Sequence, residues 1–214
     1  MLFDLHGLET GPLSLLHIGL AFVATGLLIP DFLQRRWTMT LFIAASAFIV
    51  GLGRVVMEII PSVQPITPFV FILGVLVGSR RASSCAILAT LISNFELGMG
   101  VWSLHQAIAW CAIGCLGAAA RPHLMISDRL SLWRTAVLAS LLAFPFGWIV
   151  SLPALEYGVF KYVGYLWNGL LFDIYHAVGN ALFITVMVPI ANASLTSGRR
   201  VLAGFNKNDI AIIQ

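Results

Sequence analysis

The fold class this sequence predicts is an all-α bundle of membrane-spanning helices. Three observations carry it. Of 214 residues, 59% are apolar and only 10% are charged, against about 25% charged in a typical soluble domain. The mean hydropathy is +0.95, and a water-soluble chain of this size has too little interior to hide that much hydrocarbon. The apolar residues also fall in long runs separated by short basic pairs. Together these exclude a soluble enzyme, a nucleic-acid-binding domain and a disordered chain. The net charge of +3 reflects basic loops. The pairs Arg35-Arg36, Arg80-Arg81 and Arg199-Arg200 are too far apart in the chain to make an electrostatic track for nucleic acid.

About 20 mainly apolar residues are needed to cross the hydrocarbon as a helix. Seven candidates follow in order. The first covers about 12–29 and is expected to stop before Pro30. It is expected to stay in the mature protein, because residues 1–11 carry Asp4, His6 and Glu9 but no Lys or Arg, unlike a signal peptide. The second covers about 38–60, ending before Pro61. The third (66–78) and fourth (82–96) are short and joined by Ser79-Arg80-Arg81, which reads as a tight helical hairpin sheltered by its neighbours. The fifth covers about 103–120, the sixth about 133–152 and the seventh about 169–192. The longest loops fall at about 121–132 and 153–168.

The basic residues set the expected orientation. Arg35, Arg36, Arg80, Arg81, Arg121, Arg129, Arg134, Arg199, Arg200 and Lys207 all fall on one side of this scheme, ten of the twelve Lys and Arg. Arg54 and Lys161 fall on the other. The asymmetry predicts an N-terminus outside, a C-terminus inside and an odd number of spans.

Polar residues at membrane depth are costly and tend to be functional. Here they collect in the outer halves of the helices. Arg54 and Glu58 end the second span, and Asn94 and Glu96 the fourth. Trp102, Gln106 and Trp110 step by four down the fifth, with His105 beside them. Asp173, His176 and Asn180 step by three and four down the seventh, and His17 lies in the first. Spacing of three or four keeps each set on one helix face. The simple reading is a pocket open to the outside, lined by Arg54, Asn94, Trp102, Gln106, Trp110, Asp173, His176 and Asn180. Trp102 and Trp110 would stack on a ligand. Asn94, Gln106 and Asn180 would hydrogen-bond it, and Asp173 and His176 would orient one another or a ligand group. Blander readings stay open. Arg54–Glu58 suits an interfacial ion pair, Trp102 suits an aromatic belt, and Asp173, His176 and Asn180 suit a network that ties helices at roughly 0.6 kcal/mol per bond.

Small residues mark a second surface. Ala44, Ala45, Ser46 and Ala47 lie in the second span, with Gly51 four residues after Ala47. Such spacing lets helices approach closely, and Ala44, Ala47 and Gly51 are candidates for docking a partner helix. Gly74 and Gly78 suit internal packing. Cys85, Cys111 and Cys115 sit in apolar runs without other ligating residues, so neither a metal nor a cofactor is expected on them. The chain carries no P-loop, HExxH or GxSxG pattern, so it is not expected to be an enzyme. Asp173 and His176 lack an adjacent Ser or Cys nucleophile.

One block of residues is more specific. Pro61-Ser-Val-Gln-Pro-Ile-Thr67, Gly74 and Gly78, Ser93-Asn-Phe-Glu-Leu-Gly-Met-Gly-Val-Trp102, and Gln106, Ala109, Trp110 and Gly114 together resemble the substrate-binding S components of energy-coupling factor (ECF) vitamin transporters. Phe172-Asp-Ile-Tyr-His-Ala-Val-Gly-Asn180 is similar to the last helix of that group. The resemblance implies a six-helix core over residues 38–196, preceded by one extra helix in 1–37 and followed by a short cytoplasmic tail, 197–214. It implies capture of a vitamin-like small molecule from outside, cobalamin-type by subgroup. It also implies a membrane-spanning coupling subunit, separate cytoplasmic ATPase subunits and a prokaryotic cell membrane. Two other functions remain on residues alone: an autonomous seven-helix vitamin or nucleoside carrier, and a small intramembrane enzyme using Asp173 and His176.

Overall fold

The computed structural model describes residues 15–204, with side chains to residue 197. Residues 1–14, the side chains of Arg199 and Arg200, and Lys207 lie outside the described residues. Eight α-helices account for most of the described chain: α1 (Leu15–Leu33), α2 (Trp37–Val56), α3 (Ile66–Val77), α4 (Ser79–Leu97), α5 (Trp102–Leu124), α6 (Leu132–Leu141), α7 (Ala143–Val150) and α8 (Val159–Gly204). A two-stranded hairpin, β1 (Met125–Ile126) and β2 (Arg129–Leu130), joins α5 to α6.

Five stretches are long and apolar enough to cross a membrane by length and composition: α1, α2 with its following turn, α5, α6–α7 together, and α8. Two of the seven expected spans differ in kind. α3 is apolar but has only 12 residues, about 18 Å of rise. α4 has 19 residues, but Ser, Thr, Arg and Asn dilute its hydropathy. Both pack at the centre of the bundle, α3 against α5 and α4 against α1, α2 and α5. Nine residues of α3 and nine of α4 are buried. A helix sheltered by protein need not be uniformly apolar, so a hydropathy count overlooks it.

Several boundaries depart from those expected. Pro30 does not stop α1, which runs on to Leu33. The extra turn carries Asp31, whose carboxylate is fully buried and ion-paired with Arg80 and Arg81 at 2.8 and 2.5 Å. α2 ends at Val56, and a 3-10 turn (Met57–Ile59) completes the second span. The sixth span is broken at Leu142, where Pro145 removes the bond to the carbonyl four residues back. The largest correction concerns the expected loop 153–168. It is a 3-10 segment (Leu152–Tyr157) followed from Val159 by helix. α8 therefore has 46 residues, about 69 Å, roughly twice the thickness of the hydrocarbon. It also passes the 196/197 junction expected to open the tail.

Close helix contact depends on glycine at α3–α5. A Cβ on Gly74 would lie 2.1 Å from the Gly114 carbonyl oxygen, and one on Gly117 would lie 2.2 Å from that of Phe71. The α3–α4 hairpin turns through Gly78 at φ +91°, a region open to glycine at little cost. At the far end, Ser127 and Asp128 both take positive φ in the β1–β2 turn, as a two-residue hairpin requires. Asn192 of α8 then grips Leu130 through both its N–H (2.8 Å) and its carbonyl (3.0 Å).

Candidate functional site

The polar residues of the expected pocket meet at one end of the bundle, where α2 and α4 finish and α3 and α5 begin. Arg54 is the hub. It sits in the last turn of α2, where a cation suits the helix dipole, and is 7% exposed. Its Nε donates to Gln64 Oε1 (3.0 Å), and its Nη1 donates to Ser93 Oγ (2.7 Å) and Asn94 Oδ1 (2.5 Å). The guanidinium also lies over the Trp110 ring, 5.5 Å from its centroid, a cation–π contact. Glu58, one turn on, is exposed, and no ion pair within 4 Å joins it to Arg54 among the described residues. An Arg54–Glu58 ion pair is therefore not formed.

Asn94 uses its full amide. Its Nδ2 donates to Ser103 Oγ (2.9 Å) and Gln106 Oε1 (2.8 Å), while its Oδ1 accepts from Arg54. Ser103 Oγ is also 3.1 Å from His17 Nε2, which brings α1 into the network. On the other side of Arg54, Trp110 Nε1 donates to Thr67 Oγ1 (2.9 Å), and Thr67 Oγ1 is 2.8 Å from His176 Nε2. An indole N–H only donates, so the Thr67 oxygen accepts there and its own hydrogen is free for His176 Nε2. Phe146 packs between Trp110 and His176, with ring centroids 5.0 Å from each. The network thus touches every helix except α6.

Five expected residues come together here: Arg54, Asn94, Gln106, Trp110 and His176. Most of them are buried. Trp110 and Asn94 are 1% exposed and His176 is 5% exposed. The three others sit apart. Trp102 is exposed at 41%, donates its indole N–H to Gly98 O (3.2 Å) and covers Gly100, so it folds over its own turn. Asn180 is fully buried, donates to Ala139 O of α6 (2.9 Å) and leaves its Oδ1 unbonded. Asp173 is half-buried with its carboxylate against Gly147 of α7, and makes no hydrogen bond or ion pair among the described residues. Asp173 and His176 do not bond to one another, contrary to one expectation; Thr67 is the partner of His176.

The expected docking residues also divide. Ala44 is exposed. Ala47 is fully buried, and a Cβ on Gly51 would lie 3.2 Å from Ala89 O of α4. Ala47 and Gly51 are inside contacts, and the accessible small-residue surface of α2 is that of Ala44 and Ala45.

Reasoning from the sequence missed Gln64, Thr67, Ser93 and Ser103 as site residues. For Ser93 and Ser103 the signal lay in adjacency, each being a hydroxyl next to a residue already singled out, Asn94 and Trp102; for Gln64 and Thr67, six and nine residues after Glu58, spacing gave none. It also missed Asp31, read only as part of a loop. About three turns beyond Asn180 along α8, an open cavity of about 370 Å³ is lined by Arg129, Pro189, Asn192, Ala193, Thr196 and Ser197. No group of three or more His, Cys, Asp or Glu among the described residues is arranged to hold a metal. Comparison of the chain with family models, curated proteins and solved structures finds no match.

Proposed function

We propose that this protein is a membrane-embedded ligand-capture subunit, of the kind the ECF S components represent, serving an ATP-driven micronutrient importer. The observation that carries the reading is the Arg54 network. Seven helices bring polar or aromatic groups to one end of a bundle whose solvent is lipid, and such groups at membrane depth tend to mark a ligand path. Gln106 and Asp173, both half-buried, and Trp102 at the rim are the groups that a ligand would meet first. The buried Asn94 holds Gln106 in place through its Nδ2 (2.8 Å), as a preorganised site requires. In the seven-span scheme with the N-terminus outside, this end faces outward. ATP hydrolysis would belong to separate subunits, coupled through a membrane partner that meets α2 on its Ala44 side. A cobalamin-type ligand is the first candidate.

The test is native mass spectrometry of the protein purified from its own membranes without added ligand. A retained small molecule of vitamin mass, together with co-purifying ATPase subunits, is the expected result. A protein that is empty, stays empty after incubation with a vitamin panel and brings no ATPase would overturn the reading. Uptake by the protein alone would favour an autonomous carrier.

A further inference from the structure

The chain treats its inward-facing arginines in two ways. At one end of the bundle, Arg80 and Arg81 are neutralised by Asp31, which is fully buried between them. Both arginines keep some exposure, at 35% and 16%. At the other end, Arg54 is the one Lys or Arg among the described residues that is buried, yet it has no carboxylate within 4 Å. Its partners are neutral: an amide oxygen of Gln64, the Ser93 hydroxyl, the Asn94 amide oxygen and the face of Trp110. Nε and Nη1 are used, whereas Nη2 makes no hydrogen bond among the described residues. A buried cation is ordinarily paired as well as hydrogen-bonded. Arg54 is held in position with no carboxylate in contact, the exposed Glu58 one turn on attracting it only from a distance, and a guanidinium fixed by Nε and Nη1 keeps Nη2 in a set direction.

From this we infer that the contacting counter-charge is the ligand's: the site takes a molecule bearing a carboxylate or phosphate, whose oxygen is received by Arg54 Nη2. The aromatic pair of Trp110 and Phe146 lies beside that position. Asp173, unpaired against Gly147, the residue after Phe146, is suited to a hydrogen-bond donor or cation on the same molecule. This rests on the ligand-capture reading and narrows its substrate class to anions and zwitterions.

The probe is benzoate, compared with the isosteric neutral benzamide, by ligand-observed NMR on the detergent-solubilised full chain. Benzoate is expected to bind saturably and benzamide at least about tenfold more weakly, the scale of one charge-assisted hydrogen bond. Gln64→Glu installs a carboxylate beside Arg54 Nε. It is expected to raise the melting temperature and to abolish benzoate binding, because the counter-charge is then internal. Equal affinity for benzoate and benzamide, absence of benzoate binding, or unchanged benzoate binding in Gln64→Glu would each overturn the inference. Loss of benzoate binding in nanodiscs of phosphatidylglycerol but not phosphatidylcholine would give the site to a lipid phosphate and overturn a soluble ligand. The capture reading fails separately. A retained neutral molecule with no benzoate binding leaves capture standing, whereas benzoate binding in a protein that retains nothing from a vitamin panel leaves only the anion site.

Discussion

At the scale of single residues, Thr67 is where the network is most exposed to a small change. One oxygen holds both the Trp110 indole and the His176 imidazole, and Thr67 itself is fully buried. Thr67→Val keeps the shape and removes both bonds, leaving a buried N–H and a buried imidazole nitrogen unpaired. The expected loss is about 1–3 kcal/mol of stability, read as a lower melting temperature in detergent, with Thr67→Ser restoring most of it. An unchanged melting temperature in the valine variant would mean that packing against Phe146, and not the Thr67 oxygen, fixes these rings. Asn94 makes a contrasting case. Its three bonds include one to a charged group, so Asn94→Leu strands Arg54 as well as two neutral partners. Its expected cost, at or above the upper end of the same range, exceeds that of Thr67→Val. The reverse order in melting temperature would remove Arg54 from the centre of the network.

At the scale of elements, α1 is fastened to the bundle in three places along its length. His17 meets Ser103 of α5 near one end, Ser84 of α4 donates to Ala24 O midway (2.9 Å), and Asp31 takes Arg80 and Arg81 at the other. Arg80 also donates to Leu27 O. The ionic contact is the one that sequence reading overlooked, because Pro30 suggests a helix end and places Asp31 in a loop. A proline near the C-terminus of a helix need not end it when the next turn has a buried partner waiting. Asp31→Asn leaves two inward arginines without a counter-charge. Because both keep partial contact with solvent, the expected loss is about 1–3 kcal/mol, below that of a fully buried pair. The loss should localise to α1, as faster amide hydrogen exchange in α1 than in α5. A uniform increase across both helices would show that α1 is not an independent unit of stability.

The same scale shows what was legible and why. The positions of the helices followed from apolar runs, since lipid leaves little choice of spanning structure. The stepping of Gln106 to Trp110 on α5 and the placing of Arg54 and Asn94 at helix ends sufficed to bring those residues together. Partners across helices were not legible, because pairings such as Thr67 with His176, 109 residues apart, depend on packing that no periodicity encodes. Ala47 and Gly51 illustrate the same limit. A small-residue face looks alike whether it meets α4 of its own chain or a partner. The helical start of α8 was hidden by Gly164, Gly169, Lys161 and Asn168, which read as loop residues although the chain from Val159 is continuous helix.

For the whole molecule, the crossing of α3 and α4 is where length bears hardest on the seven-span scheme. α3 rises about 18 Å, and the hydrocarbon is about 30 Å thick, yet the seven-span scheme needs both to cross. α3 is buried on most sides by α5, α4 and α8, so protein, not lipid, surrounds its ends. That is the setting in which a short crossing helix is tolerated. Ser62 lies just before α3, and Ser79 opens α4 after the Gly78 turn; Asp128 lies in the β1–β2 turn. In a background with Cys85, Cys111 and Cys115 replaced by alanine, Ser62→Cys is expected to react with a membrane-impermeant maleimide in intact cells. Ser79→Cys and Asp128→Cys should react only after permeabilisation. Reaction of Ser79→Cys from outside would make α3–α4 a re-entrant pair that never crosses, and would lower the span count to five. Reaction of Asp128→Cys from outside with protection of Ser62→Cys would keep the span count but invert the protein. The Arg54 end would then face the cytoplasm, and capture from outside would have to be abandoned.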